Sequence, residues 1–154
     1  MLAPLKQWVC DRCSEVIQKP EDGFLEWLAD GDAVSGFKIV HARGASSRGG
    51  ECFHYTDHLN RADMHLSYYL GPAGLSALLG LLDPGAYHAP TPAAASATTT
   101  REFVETARRL HVPYFEEARR YWDRAEADGL FDGSNEDTLY APEFLQSLVK
   151  RYAS

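Results

Sequence analysis

The sequence contains one motif whose spacing indicates metal chemistry, the pair Cys10 and Cys13. A spacer of two residues lets both thiolates face one ion, about 2.3 Å from each sulfur atom. The third cysteine, Cys52, follows much later in the chain, and His54 and His58 come shortly after it. Thiolate and imidazole are ligands that zinc prefers. These residues predict a structural site for one Zn²⁺ ion, with three cysteine ligands and one histidine ligand.

The fourth ligand is open among three histidines. His41 is expected at the end of a strand, from which it would complete the site. His54 lies on the same side of the chain as Cys52 if that stretch is extended. His58 would point back from the first turn of a helix capped by Thr56. The spacing favours none of the three.

Other chemistries compete with a structural metal site. Cys10 and Cys13 would form a redox pair if they followed a strand and opened a helix, but a segment with proline and glycine follows too soon for a long helix. They could also be unbound thiols. His54 and His58 have the i, i+4 spacing of zincin proteases, with Tyr55 in the place of the glutamate that acts as general base. A metal-dependent hydrolase is therefore a further alternative, and the sequence leans against an enzyme.

Two segments rich in aromatic and β-branched residues predict neighbouring strands, residues 24–29 and 37–42. Asp30-Gly31-Asp32 would join them as a hairpin. One pair of ligands before a hairpin and another after it resembles a zinc ribbon or a treble clef, over residues 8–60. The resemblance implies a closed site with four protein ligands that supports folding and performs no chemistry.

A glycine-rich loop and a helix follow the hairpin. Residues 44–50 are expected to form a mobile loop, and the less favoured hypothesis is that their backbone binds an anion together with Arg43 and Arg48. Gly71-Pro72 predicts the start of a helix. One buried face of this helix is predicted from the i, i+3, i+4, i+7 spacing of four residues, Leu75, Leu78, Leu79 and Leu82.

The C-terminal part of the chain is predicted to be helical and separate. Residues 84–100 contain prolines and no charged side chain, which favours a linker. An apolar stripe from residue 103 to residue 125 predicts two helices broken near His111-Val112, because Pro113 follows. A final helix is expected from Ala141-Pro142. The sequence thus predicts an α+β protein with a zinc-ribbon-like module and helix in residues 1–83 and a helical module in residues 101–154.

This helical part is also similar to a winged helix-turn-helix. Residues 114–126 would be the recognition helix and residues 132–138 the wing. Glu116 and Glu117 occupy the start of that helix, where DNA-binding proteins make base contacts, and acidic groups dominate the wing. A winged-helix-like DNA-binding regulator is therefore the alternative function. The arginines that would contact phosphate groups are Arg108, Arg109, Arg119, Arg120 and Arg124.

The net charge and the apolar runs of the chain disfavour several classes of partner. The chain has 154 residues and a net charge of −7, which disfavours binding to nucleic acids and anionic membranes. It shows no secretory signal at its start and no apolar run long enough for a bilayer, so we expect a cytoplasmic location and no membrane partner. The predicted function is a protein–protein interaction or regulatory adaptor. Its candidate anchors are Trp122, Tyr114 and Tyr121.

Overall fold

The structure is a computed structural model that describes residues 1–31, 33–83 and 97–153, and only the backbone of residues 97–99. Two small antiparallel sheets in the N-terminal half and helices in the C-terminal half confirm the α+β prediction. The strands are β1 (Trp8–Val9), β2 (Val16–Ile17), β3 (Gly23–Asp30), β4 (Ala33–His41) and β5 (Arg61–His65). The helices are α1 (Gly71–Leu79), α2 (Ala97–His111), α3 (Phe115–Ala118), α4 (Trp122–Ala127), α5 (Glu136–Leu139) and α6 (Pro142–Tyr152).

The larger sheet has the order β4-β3-β5 and contains the predicted hairpin. β3 is its central strand, so Leu25 and Glu26 are both fully buried although their side chains leave the strand in opposite directions. The register of β3 and β4 shifts between Glu26 and Leu28. Gly36 in β4 has φ +65° at this shift, a conformation that glycine adopts without the steric cost of a Cβ atom.

Helix α1 begins at Gly71 as predicted, but its buried face is only partly the predicted one. Leu78 is fully buried, whereas Leu75 and Leu79 are 37% and 52% exposed. The reason is a close approach at Gly74, where a Cβ atom would lie 2.2 Å from the carbonyl carbon of Tyr69. The helix therefore turns the side of Gly74 and Leu78 to the core and leaves the two other leucines outside.

The helical segment is broken where Pro113 predicts a break. α2 ends at His111, and Tyr114 adopts a left-handed conformation with φ +68° before α3 begins. Residues 97–100, the last four of the predicted linker, belong to α2, and the linker residues 84–96 lie outside the described part. The final helix α6 begins at Pro142, as expected.

Two apolar clusters form the core, and α2 contributes to the first of them. Phe103 and Leu110 of α2 pack with the sheet and α1, while the division into modules 1–83 and 101–154 stays a prediction. The largest fully buried apolar side chains of the first cluster are Trp8, Ile17, Leu25, Ile39, Val40, Leu66, Leu78 and Leu110. The buried residues of the second cluster are Phe115, Ala118, Ala125, Leu145, Leu148, Val149 and Tyr152.

The buried guanidinium of Arg109 joins α2 and α3 to β1 and to the turn that follows β1. The Nε and Nη2 atoms of Arg109 donate to the two carboxylate oxygens of Glu116 at 2.7 and 3.0 Å. Its Nη1 atom donates to Asp11 at 2.8 Å, and Nη2 also donates to the carbonyl of Val9 at 3.1 Å. Burial acts to lower the pKa of Arg109, but Glu116 and Asp11 outweigh burial and raise it. The charge is thus fully paired in the interior.

Replacing this guanidinium with an apolar side chain should destabilise the protein strongly. Arg109→Met would leave Glu116, whose side chain is 7% exposed, as a buried carboxylate that has lost its main counter-charge. We expect the free energy of unfolding to fall by about 3–5 kcal/mol. Chemical denaturation of the full chain measures this change.

The matched control is Arg151→Met, because Arg151 makes an exposed ion pair with Asp128 at 4.0 Å. Exposed pairs contribute about 0–1 kcal/mol, so this variant should unfold nearly like the wild type. Equal effects of the two substitutions would contradict the structural role of Arg109.

Candidate metal centre

Three cysteines and one histidine come together at the end of the β3–β4 hairpin where β4 ends. The ligand atoms of Cys10, Cys13, His41 and Cys52 all lie within 4.8 Å of one another. Cys13 Sγ and His41 Nδ1 are 3.4 Å apart. In a tetrahedral zinc site with these ligands, neighbouring ligand atoms are about 3.6–3.8 Å apart. The four side chains could therefore hold one metal ion after a small contraction.

The first two ligands lie in a tight turn between β1 and β2. The Cys10 N–H donates to the carbonyl of Glu15, and the Ser14 N–H donates to the carbonyl of Cys10, both at 2.9 Å. Ser14 has φ +64°, which lets the chain reverse directly after Cys13. The turn folds back on itself and directs both sulfur atoms to the same side.

Asp11, between these two cysteines, fixes the turn to the edge of the larger sheet. Its N–H donates to the carbonyl of Ile39 at 2.8 Å, and its Oδ2 atom accepts from the N–H of Ile39 at 2.7 Å. Ile39 precedes His41 by two residues on β4. This pair of hydrogen bonds therefore brings the Cys10–Cys13 turn beside His41.

His41 is the last residue of β4, as the sequence predicts, and it pairs in register with Gly23 of β3. Its side chain is 3% exposed. The rigid strand and the burial fix the imidazole at the edge of the group of ligands. His41 is thus the histidine that the structure brings to the cysteines.

Cys52 comes from the loop after β4, and a buried carboxylate holds this loop. Glu26 in β3 accepts a hydrogen bond from the N–H of His54 at 2.5 Å. The neighbouring Phe53 stacks on Phe24 with ring centroids 5.5 Å apart. Burial raises the pKa of Glu26, opposed by the hydrogen bond from His54. Both contacts anchor the residues that directly follow Cys52.

The two other candidate histidines lie outside the group. His54 and His58 are exposed, and their rings contact the ring of Tyr55. The helix expected to start near Thr56 is wrong: residues 54–57 form turns, and β5 follows at Arg61. The side chain of His58 therefore has no helical turn from which to point back to Cys52.

The thiol of Cys52 is hard to ionise without a bound cation. Burial raises its pKa to about 11, helped by the nearby Cys10 and Cys13, while a hydrogen bond with Ser46 acts in the opposite direction. Only the thiolate is a strong metal ligand. Binding of a metal ion must therefore displace a proton from Cys52.

Hydrogen bonds connect the glycine-rich loop before Cys52 to the segment directly after the Cys10–Cys13 turn. Glu15 accepts a hydrogen bond from Arg48 Nε at 2.8 Å and another from the hydroxyl of Ser47. Both bonds lower the pKa of Glu15. Because Arg48 is paired with a carboxylate in this way, the contact gives no support to the anion-binding hypothesis for residues 44–50.

The expected winged helix is wrong in two places. Residues 114–126 form α3, a 3₁₀ turn and α4 rather than one recognition helix, and the expected wing contains α5 instead of a β-hairpin. Three of the five arginines proposed to contact phosphates are paired with carboxylates instead. Arg109, Arg119 and Arg120 pair with the carboxylates of Glu116 and Glu117. Arg124 lies over the ring of Tyr152.

The polar residues that position the ligands are not evident from the sequence motifs. Asp11, Glu26 and Arg109 contact backbone or side chains far away in the sequence. Asp11 stands between the two cysteines, and Glu26 interrupts an apolar strand. A charged residue in a strand predicted to be buried is the signal that could have singled out Glu26.

A comparison of the chain with protein-family models, with curated proteins and with solved structures finds no match. Among the described helices, none combines the length and the apolar content needed to cross a bilayer.

Metal affinity should depend on pH through Cys52. Since its pKa of about 11 means that the thiol is protonated at neutral pH, a metal ion that binds Cys52 would release at least this proton. We expect the apparent affinity to rise at least about tenfold for each pH unit between pH 6 and pH 8. Competition with a chromophoric chelator of known affinity measures it. An affinity that stays constant over this range would contradict the participation of Cys52.

Proposed function

We propose that the protein is a small zinc protein in which a closed, zinc-ribbon-like site maintains the fold, and that it acts as an interaction or adaptor module in the cytoplasm. The observation that carries the first part is the grouping of Cys10, Cys13, His41 and Cys52 within 4.8 Å. Its support is chemical, because three thiolates and one imidazole are a ligand set that structural zinc sites use.

A structural role fits the places from which the ligands come. The Cys10–Cys13 turn, the end of β4 at His41 and the loop at Cys52 are separate in sequence. One ion would tie these three segments together, so that its binding energy would become folding energy. In the cytoplasm, reducing conditions favour thiols that bind metal over disulfides.

The same ligand set argues against a hydrolase. Catalytic zinc sites keep a position for water or substrate, whereas four protein ligands complete a tetrahedral shell. The candidate pair His54 and His58 is exposed and apart from the three cysteines.

The adaptor role is supported by apolar side chains that the fold leaves outside. Leu75 and Leu79 are one turn apart on α1 and are 37% and 52% exposed, and Tyr68 before the helix is 57% exposed. A contiguous patch of exposed apolar side chains marks surfaces that bind other proteins, and positions four residues apart lie on one face of a helix. The anchors suggested from the sequence fit less well, because Trp122, Tyr114 and Tyr121 pack against the second core cluster.

The metal assignment predicts which histidine matters. His41→Ala should weaken zinc binding, change the cobalt spectrum and lower the cooperativity of unfolding, because a water molecule must take the place of the imidazole in the shell. The wild type should bind one zinc ion per chain. Mass spectrometry of the native protein measures the stoichiometry, and cobalt substitution reports the geometry through its visible absorption.

His54→Ala and His58→Ala are the matched controls, since both replace a nearby histidine that is exposed. Both should retain one ion and the tetrahedral cobalt spectrum. If His41→Ala retained the spectrum and either control lost it, the assignment of the fourth ligand would be wrong.

The adaptor assignment predicts a partner at α1. A photo-reactive amino acid at position 79 of the full chain, expressed in its own cells, should give one discrete cross-linked species. Leu75→Asp should remove this species without loss of zinc, because it places a charge on the same helix face. The same photo-reactive group at the exposed Asp123 is the control. Equal cross-linking at both positions, or none at position 79, would argue against a docking surface on α1.

A further inference from the structure

We propose that the protein has a second binding site, for a small aromatic anion, in the cavity between α2 and the helices that follow it. The cavity has a volume of about 600 Å³, within the range of small-molecule sites. The residues that define it are Arg101, Arg108, Phe115, Arg119, Trp122 and Tyr140. None of these residues belongs to the metal centre, so the site is independent of the function proposed above.

Three aromatic side chains form the apolar wall of this cavity. Trp122 and Tyr140 are stacked with their ring planes at 10° and their centroids 5.5 Å apart. The buried ring of Phe115 lies 6.0 Å from Tyr140. These rings line the cavity, and aromatic side chains favour contact with another ring.

Arg108 supplies a cation that is already oriented. Its guanidinium carbon lies 3.5 Å from the centroid of the Tyr140 ring. Stacking uses the face of the guanidinium and leaves the N–H groups at its edge free to donate. In the part of the chain that the structure describes, neither Arg108 nor Arg101 has a carboxylate within 4.0 Å.

The third cation, Arg119, is held in place by the buried network. It contacts Glu116 at 3.0 Å and Asp11 and Glu105 at 3.7 Å each. Among the described residues, Glu105 is the one carboxylate that lines the cavity, and Arg101 and Arg108 outnumber it. Arg101 and Arg108 thus give the cavity an excess positive charge within a chain whose net charge is −7. Such a site selects an anion from solution.

The wall and the cations together define the ligand class. Guanidinium groups bind carboxylate and phosphate with two parallel hydrogen bonds, and the rings bind a planar group. The ligand is therefore an aromatic ring that bears a carboxylate or a phosphate. The two anionic groups share this chemistry, and the experiment distinguishes them.

Isothermal titration calorimetry of the zinc-loaded full chain tests the proposal. The probes are adenosine monophosphate and indole-3-acetate, with adenosine and inorganic phosphate as partial ligands. At least one of the two aromatic anions should bind one per chain, at least about tenfold more tightly than either partial ligand. Tighter binding of the nucleotide would identify phosphate as the preferred group, and tighter binding of indole-3-acetate would identify carboxylate. Absence of binding by both aromatic anions, or binding of adenosine or inorganic phosphate as tight as that of the better aromatic anion, would overturn the proposal.

Substitution of the cation provides the second test. Arg108→Gln should weaken binding of the preferred probe by about tenfold or more, since a hydrogen bond to a charged group is lost. The matched control is Arg124→Gln, because Arg124 also lies over an aromatic ring, that of Tyr152 at 4.8 Å, but does not line the cavity.

Arg101→Gln, at an exposed position of α2, gives an independent reading if Arg108→Gln does not fold. It should weaken binding while zinc content and thermal unfolding stay unchanged. If the folded arginine variants bound the probe as tightly as the wild type and the Arg124→Gln control, the site would not be the cavity proposed here.

Discussion

The position of Arg109 is the constraint on which the arrangement of the protein depends. A guanidinium in the interior is tolerated only if its charge and its donors are paired, and here Glu116, Asp11 and the carbonyl of Val9 provide the partners. These partners belong to α3, to the Cys10–Cys13 turn and to β1, respectively. The backbone of Arg109 also accepts a hydrogen bond from Trp8 Nε1 at 3.0 Å. A different packing of α2 would leave these charged groups unpaired. The network therefore selects one arrangement of α2 and α3 relative to β1 and the Cys10–Cys13 turn.

The same network reaches the metal centre through Asp11. Its Oδ2 atom accepts hydrogen bonds from both Arg109 and the N–H of Ile39, and it lies between the two cysteines of the turn. The position of Cys10 and Cys13 relative to His41 thus depends on a residue of α2, far away in the sequence. Zinc and the ion pairs would secure the turn from two sides. Loss of either should loosen the other, because both must be satisfied by one backbone geometry.

Local sequence patterns predicted most of the strands and helices. Long-range packing decided which histidine joins the cysteines and which face of α1 is exposed. The hairpin, the break at Pro113 and the helix from Pro142 follow from propensity and from the fixed geometry of proline. The choice of His41 follows from the register that pairs it with Gly23, which no spacing between cysteines and histidines determines. The exposed face of α1 likewise depends on the contact of Gly74 with the backbone of Tyr69. Both are tertiary contacts between segments that give no local signal of their proximity.

The arginines of the helical part show how pairing separates structural from available charge. A row of guanidinium groups in the sequence favours phosphate binding, yet Arg109 is buried and Arg119 and Arg120 pair with Glu116 and Glu117. Those carboxylates, which in the sequence only weaken the case for DNA, are the reason that the cations are engaged. Arg108 and Arg124 differ because their partners are the neutral rings of Tyr140 and Tyr152. An aromatic partner orients a guanidinium without neutralising it, and of these two arginines only Arg108 lines the cavity, where its charge remains for an external anion.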